Sequence, residues 1–223
     1  SRSDIIYGVM IDGVARAYPE RIVAWHGVVT DSIEGTAIQV WHCIACGGAA
    51  VFGAAASDGT RYTFASSGLA WEARRLFFDE ETLSLWDAVQ GRAVTGPAAG
   101  TRLTLLPSTR TTWGEWSDRY RNTRVLSLDT GFVRDYAEGV AIRPDTQSDT
   151  PLYPVPEIDD RLPAKARVLG VVVGGVARAY PLEAVEAAGI VHDEVGGTRL
   201  VLISPGPGLG VSVYAAGGTT IDR

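Results

Sequence analysis

Apolar and polar positions alternate in short runs along most of the chain, and many runs stop at a glycine-containing turn. The run Ile6 to Ile11 reaches Asp12-Gly13 and returns through Val14 to Tyr18, which predicts a β-hairpin. Pro19 suits the first position of a short helix, Ile22, Val23 and His26 share one face at helical spacing, and Gly27 is placed as the stop. A second hairpin is predicted from Val28 to Ile33 and Thr36 to His42, turning on Glu34-Gly35.

This hairpin, helix, hairpin unit occurs twice. GVARAYP at Gly13 to Pro19 returns at Gly175 to Pro181, and the match continues without a gap through Val23/Val185, Gly27/Gly189, Val29/Val191, Asp31/Asp193, Gly35/Gly197 and Thr36/Thr198. A seven-residue identity followed by matching turns points to duplication, and two copies suggest a pseudo-twofold body rather than a solenoid, which needs three or more. The predicted fold is therefore mainly β, an α+β chain with few short helices, in one compact domain over residues 1–223. The first copy spans 5–56, a central insertion 57–165 and the second copy 166–218. The insertion holds further strands, a polar helix-like stretch around Glu72 to Leu85 and the aromatic segment TTWGEW. Residues 143–163, rich in Pro and Asp, read as a surface crossing.

Composition narrows the function classes. A formal charge of −6 and a pI near 5.1, with Lys165 the single lysine, leave no clustered basic face for nucleic acid. No stretch approaches the roughly 20 apolar residues of a spanning helix. The chain starts at Ser1 without Met, so a removed leader or anchor stays open, and so does the compartment. The sequence is silent on oligomeric state.

The chemistry concentrates in the first copy. Its only cysteines, Cys43 and Cys46, form a C-x-x-C pair, which exclude a disulfide framework and leave a metal or redox site. A hairpin closed on Glu34-Gly35 sets Val28 opposite Trp41, Gly27 opposite His42 and His26 opposite Cys43, and directly opposed Cβ atoms lie about 4.5–5.5 Å apart. His42 and Cys43 point to opposite faces if the strand runs through both, so His42 is the less certain ligand. The second copy has Ala188, Ser204, Pro205 and Gly208 where the first has His26, His42, Cys43 and Cys46, so the unit folds without these side chains. Thiolates with imidazole suit copper or zinc, with iron a weaker third. Three ligands (His26, Cys43, Cys46) describe an open catalytic site, and adding His42 closes a structural one. A redox disulfide and inert packing are the competing readings.

Other residues are candidates by position. Trp25, Trp41, Ser67, Trp86, Trp113 and Arg134 are candidate pocket residues, and Asp135 and Tyr136 candidate proton-transfer groups. For the tryptophans, ordinary core packing competes, and for Arg134-Asp135 a structural ion pair does. His192 reads as a surface residue. No GxSxG elbow, Walker loop, Rossmann fingerprint or HExxH helix is present.

The chain resembles DUF3179, a bacterial and archaeal family of unknown function, over nearly its whole length. The segments that carry the likeness are AYPERIVAWHGVVTD, the CxxCG loop, SSGL at Ser66 to Leu69, SLW at Ser84 to Trp86, TTWGEW, VLSLDTGFVRDY up to Tyr136, YPV at Tyr153 to Val155 and the second AYPL and DEVGG. The family pattern carries His26, Cys43 and Cys46 over directly. Members are often exported or lipid-anchored, which implies an oxidising compartment where copper fits. Three departures, His42 for a Tyr, Gly27 for an acidic residue and WEAR (Trp71 to Arg74) for a YNSD-like stretch, suggest a specialised biosynthetic member, which would be cytoplasmic.

The expectation is a metal-dependent enzyme, copper favoured over zinc, doing oxidoreductase chemistry on a small organic substrate. Its alternatives are a non-catalytic copper- or zinc-binding protein with a closed Cys2His2 site, and a CxxC thiol/disulfide protein with an intact S–S bond in air.

Overall fold

The computed structural model describes residues 1–137, 139–141, 149–157, 159–208 and 210–216. Parts of the surface crossing and the end of the second segment lie outside the described residues. Among those described, the chain is mostly β, with seventeen strands and three α-helices of seven residues each.

The first hairpin pairs β1 (Ile5–Ile11) with β2 (Val14–Pro19) across Ile11↔Val14. Pro19 ends β2 in extended conformation and caps α1 (Glu20–His26), so the helix begins one residue later than its proline suggested. Gly27 closes the helix at φ 76°, its N–H bonded to Val23 O at 2.8 Å, a conformation in which a Cβ is strained. β3 (Val28–Ile33) and β4 (Thr36–Cys43) then pair with Val28 opposite Trp41, the register the turn predicted. A 3-10 turn over Ile44–Cys46 leads into β5 (Gly48–Ala56).

β4 lies inside a four-stranded sheet whose order, with β10 (Leu103–Leu106), is β10-β5-β4-β3. Alternation sends its residues to two different cores. Trp41 and Cys43, with Phe52 of β5, pack against the sheet formed by β6 (Phe64–Trp71), β7 (Arg74–Asp79), β8 (Leu85–Asp87) and β9 (Arg92–Thr95), where Phe77 and Trp86 are fully buried. Ile38 and Val40 face the other way, onto Tyr7, Val9, Tyr18 and Val23. The CxxC turn thus hangs from the middle layer of the molecule.

The helix-like reading of Glu72 to Leu85 is corrected: this stretch is β7, its flanking turns and the first residue of β8. Glu72 and Ala73 both take positive φ, 49° and 59°, which closes a two-residue hairpin between Trp71 and Arg74 that no helix can contain. Leu83 turns the chain again at φ 59° before β8.

The first sheet has the order β11-β1-β2-β12, with β11 (Thr109–Thr112) and β12 (Arg124–Val125) as its edges. α2 (Trp113–Arg119) lays Trp116 over it, and a Cβ on Gly8 would run into that indole ring.

The second segment repeats the element order with β13 (Val168–Val173), β14 (Val176–Pro181), α3 (Leu182–Ala188), β15 (Ile190–Val195), β16 (Thr198–Ile203) and β17 (Ser212–Ala215). The registers correspond position for position: Ile6↔Pro19 answers to Val168↔Pro181, and Trp41↔Ala50 to Ile203↔Ser212. The Tyr18–Asp31 hydrogen bond of 2.8 Å recurs as Tyr180–Asp193 at 2.8 Å. The segments differ in what covers them: Ile6 is 1% exposed beneath Trp116, whereas Val168 is 45% exposed and nothing lies within 4 Å of a Cβ on Gly170.

Candidate functional site

Cys43 is the last residue of β4 and pairs with Gly48 of β5, so the ladder holds both ends of the CxxC turn. Within it Cys43 and Cys46 are joined in a disulfide. Cys43 is 2% exposed and belongs to the core beneath the turn, whereas Cys46 is an exposed residue, so the bond joins a buried residue to an exposed one. The backbone N–H of Arg75 points at Cys43 Sγ at 3.5 Å, placing a donor where negative charge would collect if the bond opened.

The guanidinium of Arg75 lies beside the same turn. It donates through Nη2 to Ser66 Oγ at 2.7 Å, stacks over the Phe77 ring at 5.0 Å, and sits so close over Gly27 that a Cβ there would be 2.7 Å from Nη1. Burial lowers the pKa of Arg75, and proximity to Tyr153 opposes the shift. Sequence reasoning missed this residue. Its neighbours in WEAR drew notice as a departure, but no local pattern marks Arg75, because only β6–β7 pairing carries it to the turn.

The predicted ligands are distributed differently from expectation. The β3–β4 register continues only to a 2.7 Å bond from His42 N to Gly27 O, and there the backbone enters α1, so His26 is the last helical residue rather than a strand partner of Cys43. Its Nε2 is 2.6 Å from Tyr136 Oη, which is also 2.6 Å from Thr130 Oγ1, and its ring lies 5.3 Å from that of Phe132. Burial, and then the Arg134 charge, lower the pKa of His26 and favour the neutral ring. His42 is fully buried on the opposite face of β4, edge-on to Tyr7 at 6.2 Å, as strand alternation dictates. Among the described residues no three His, Cys, Asp or Glu side chains form a group able to hold a metal ion, and the disulfide leaves no thiolate. In this oxidised form the cluster does not fit copper or zinc.

The candidate pocket residues divide in the same way. Trp41 and Trp86 are core residues, Trp86 donating to Asp79 Oδ2 at 2.8 Å, and Trp113 packs on the first sheet. Ser67 donates to Leu76 O at 2.6 Å in the β6–β7 hairpin. Trp25 meets the segment that carries Asp135 and Tyr136, its Nε1 donating to Asp135 O at 2.6 Å, while the Asp135 carboxylate accepts from Ala137 N at 2.9 Å. Arg134 is exposed and donates to Val133 O at 2.9 Å. Thus His26, Trp25, Asp135, Tyr136 and Arg134 come together at the end of α1, joined by Thr130 and Phe132, which sequence reasoning had not singled out. A cavity of about 230 Å³ lies apart from both groups, lined by the ion pairs of Arg21 with Asp4 and of Arg110 with Glu20.

The ordered motifs agree with the comparison against family models: the model of the family described as Protein of unknown function (DUF3179) matches residues 1–213. The chain belongs to the DUF3179 family. No curated protein and no solved structure matches it.

Proposed function

We propose that this DUF3179 chain is a thiol/disulfide redox protein working through Cys43 and Cys46, the last of the three readings its sequence allowed. The observation that carries it is a disulfide between a buried and an exposed residue, set in a turn whose ends are also held by the Cys43↔Gly48 pair. The second segment supports that independence: β16 and β17 keep the register Ile203↔Ser212 around Pro205 and Gly208, where no sulfur exists to bridge. A four-residue loop is also among the least rewarding to cross-link, because little chain entropy is removed from the unfolded state.

The asymmetry assigns roles. A thiolate from a small thiol or a protein dithiol attacks the accessible Cys46 Sγ, the Cys43–Cys46 bond breaks, and its electron pair leaves on Cys43 Sγ under the Arg75 N–H. A second thiolate attacks the outer sulfur of the mixed disulfide, so two thiols become one disulfide and the protein becomes a dithiol. Run backwards, the same steps oxidise the partner.

Metal binding remains a proposal for the dithiol form, since reduction would supply two thiolates, the form of cysteine that ligates a metal ion. Equilibration of the folded protein in thiol/disulfide buffers, with the free thiols trapped and weighed, tests the redox reading. A reversible two-electron transition with unchanged circular dichroism supports it. A pair reducible only in denaturant sinks it. Adding copper(I) or zinc to the reduced protein, and to Cys43→Ser, then separates a dithiol from a metal centre.

A further inference from the structure

Among the described residues, most partly buried arginines have a carboxylate within 4.0 Å. Arg74 has Asp87 and Glu72, Arg110 has Glu20, Arg21 has Asp4, and Arg16 approaches Asp31 at 4.0 Å. Arg75 is the exception next to the disulfide. Its guanidinium spans from the exposed Ser66 hydroxyl to the backbone of the buried Gly27, with an aromatic face on one side and no carboxylate within 4.0 Å among the described residues. A guanidinium that has lost water without gaining a counter-charge favours an anion at its free N–H groups, and its planar fork matches carboxylate geometry.

The position of this cation gives the anion a meaning. The 3-10 turn that carries Cys46 packs against β7, and the same Arg75 touches Cys43 Sγ through its backbone N–H. Gly27 contributes by lacking a side chain: any Cβ would displace the guanidinium from its seat at 2.7 Å. Nothing on Ser66 or Phe77 supplies negative charge.

We propose that Arg75 is a recognition residue for the redox partner, so that the thiol exchanging with Cys43–Cys46 carries a carboxylate a few bonds from its sulfur. This rests on the redox reading above. A thiolate that also bears a carboxylate approaches Cys46 with its second charge over the guanidinium. Attack forms the bond to Cys46 Sγ and expels Cys43 thiolate; a second such thiolate releases the symmetrical disulfide, and no other oxidant or reductant is consumed.

The test compares the rates at which mercaptopropionate, mercaptoethanol and cysteamine reduce the folded protein, each corrected for its thiolate fraction. The wild type is expected to favour mercaptopropionate over cysteamine by about tenfold at low salt, with the ratio falling as salt is added. Arg75→Gln should bring the three rates together, and Arg75→Lys should keep part of the preference. Equal corrected rates in the wild type, or a preference that survives in Arg75→Gln, overturns the proposal while leaving the redox reading intact. If no thiol reduces the folded protein, both fail. Because the salt series and the three-thiol comparison use the wild type alone, a poorly folding variant does not rescue the idea.

Discussion

Removing the disulfide should cost this protein little, and the size of that cost separates a working bond from a structural staple. The bond links residues three apart in sequence. In the chain-entropy account, closing a loop of four residues removes roughly 6 cal/mol/K from the unfolded state, or about 2 kcal/mol at 25 °C. That figure is an upper value here, because the Cys43↔Gly48 pair holds the turn and Cys43 is packed in the core beneath it, contacts that do not run through the bond. Against a total stability of roughly 5–15 kcal/mol for a domain, the reduced protein should remain folded. The assay is urea unfolding of the oxidised protein, of the protein held reduced by excess thiol, and of Cys43→Ala/Cys46→Ala, with common slopes compared before midpoints. A loss of about 2 kcal/mol or less agrees with the reasoning. A loss beyond about 4 kcal/mol, or collapse of the near-ultraviolet dichroism on reduction, would show that the bond maintains the fold, and redox cycling in the native state would then be untenable.

Two further predictions probe the scaffold. Gly8→Ala forces a methyl into the Trp116 ring and should cost about 1–3 kcal/mol, whereas Gly170→Ala, at the matching position of the open second segment, should change stability by less than about 0.5 kcal/mol; equal urea midpoints for the two variants would contradict the difference in cover. Burial alone would push the pKa of Asp79 up, but hydrogen bonds from Trp86 Nε1, Thr82 and the Ser84 backbone hold it below the ordinary carboxylate value. A depressed carboxylate stabilises the fold above its unfolded value and loses that contribution as pH falls from about 4 through the lower folded value, so Asp79→Asn should flatten the acid limb of stability against pH, and parallel acid limbs would refute it.

The chain's local pattern revealed a good deal of the site. The Glu34-Gly35 turn placed Val28 opposite Trp41, and strand alternation separated His42 from Cys43, because hairpin register and the two-residue side-chain period are properties of neighbouring residues. The helix-like reading of Glu72 to Leu85 failed because a polar stretch with scattered leucines resembles a helix until the positive φ of Glu72 and Ala73 is known.

By itself, then, the sequence determined the hairpins and short helix of each segment, a mostly β fold and the place of the two cysteines, because hairpins and short helices follow from contacts short in sequence. Tertiary structure decided what those groups meet. Arg75 reaches Cys43 across 32 residues and Tyr136 reaches His26 across 110, pairings that depend on how sheets and loops stack rather than on any local period. The same packing decided that Ile6 lies under Trp116 while Val168 stands open, although the two have matching places in their hairpins. Identical local strands acquire different environments because burial is set by what the rest of the chain leaves to cover them.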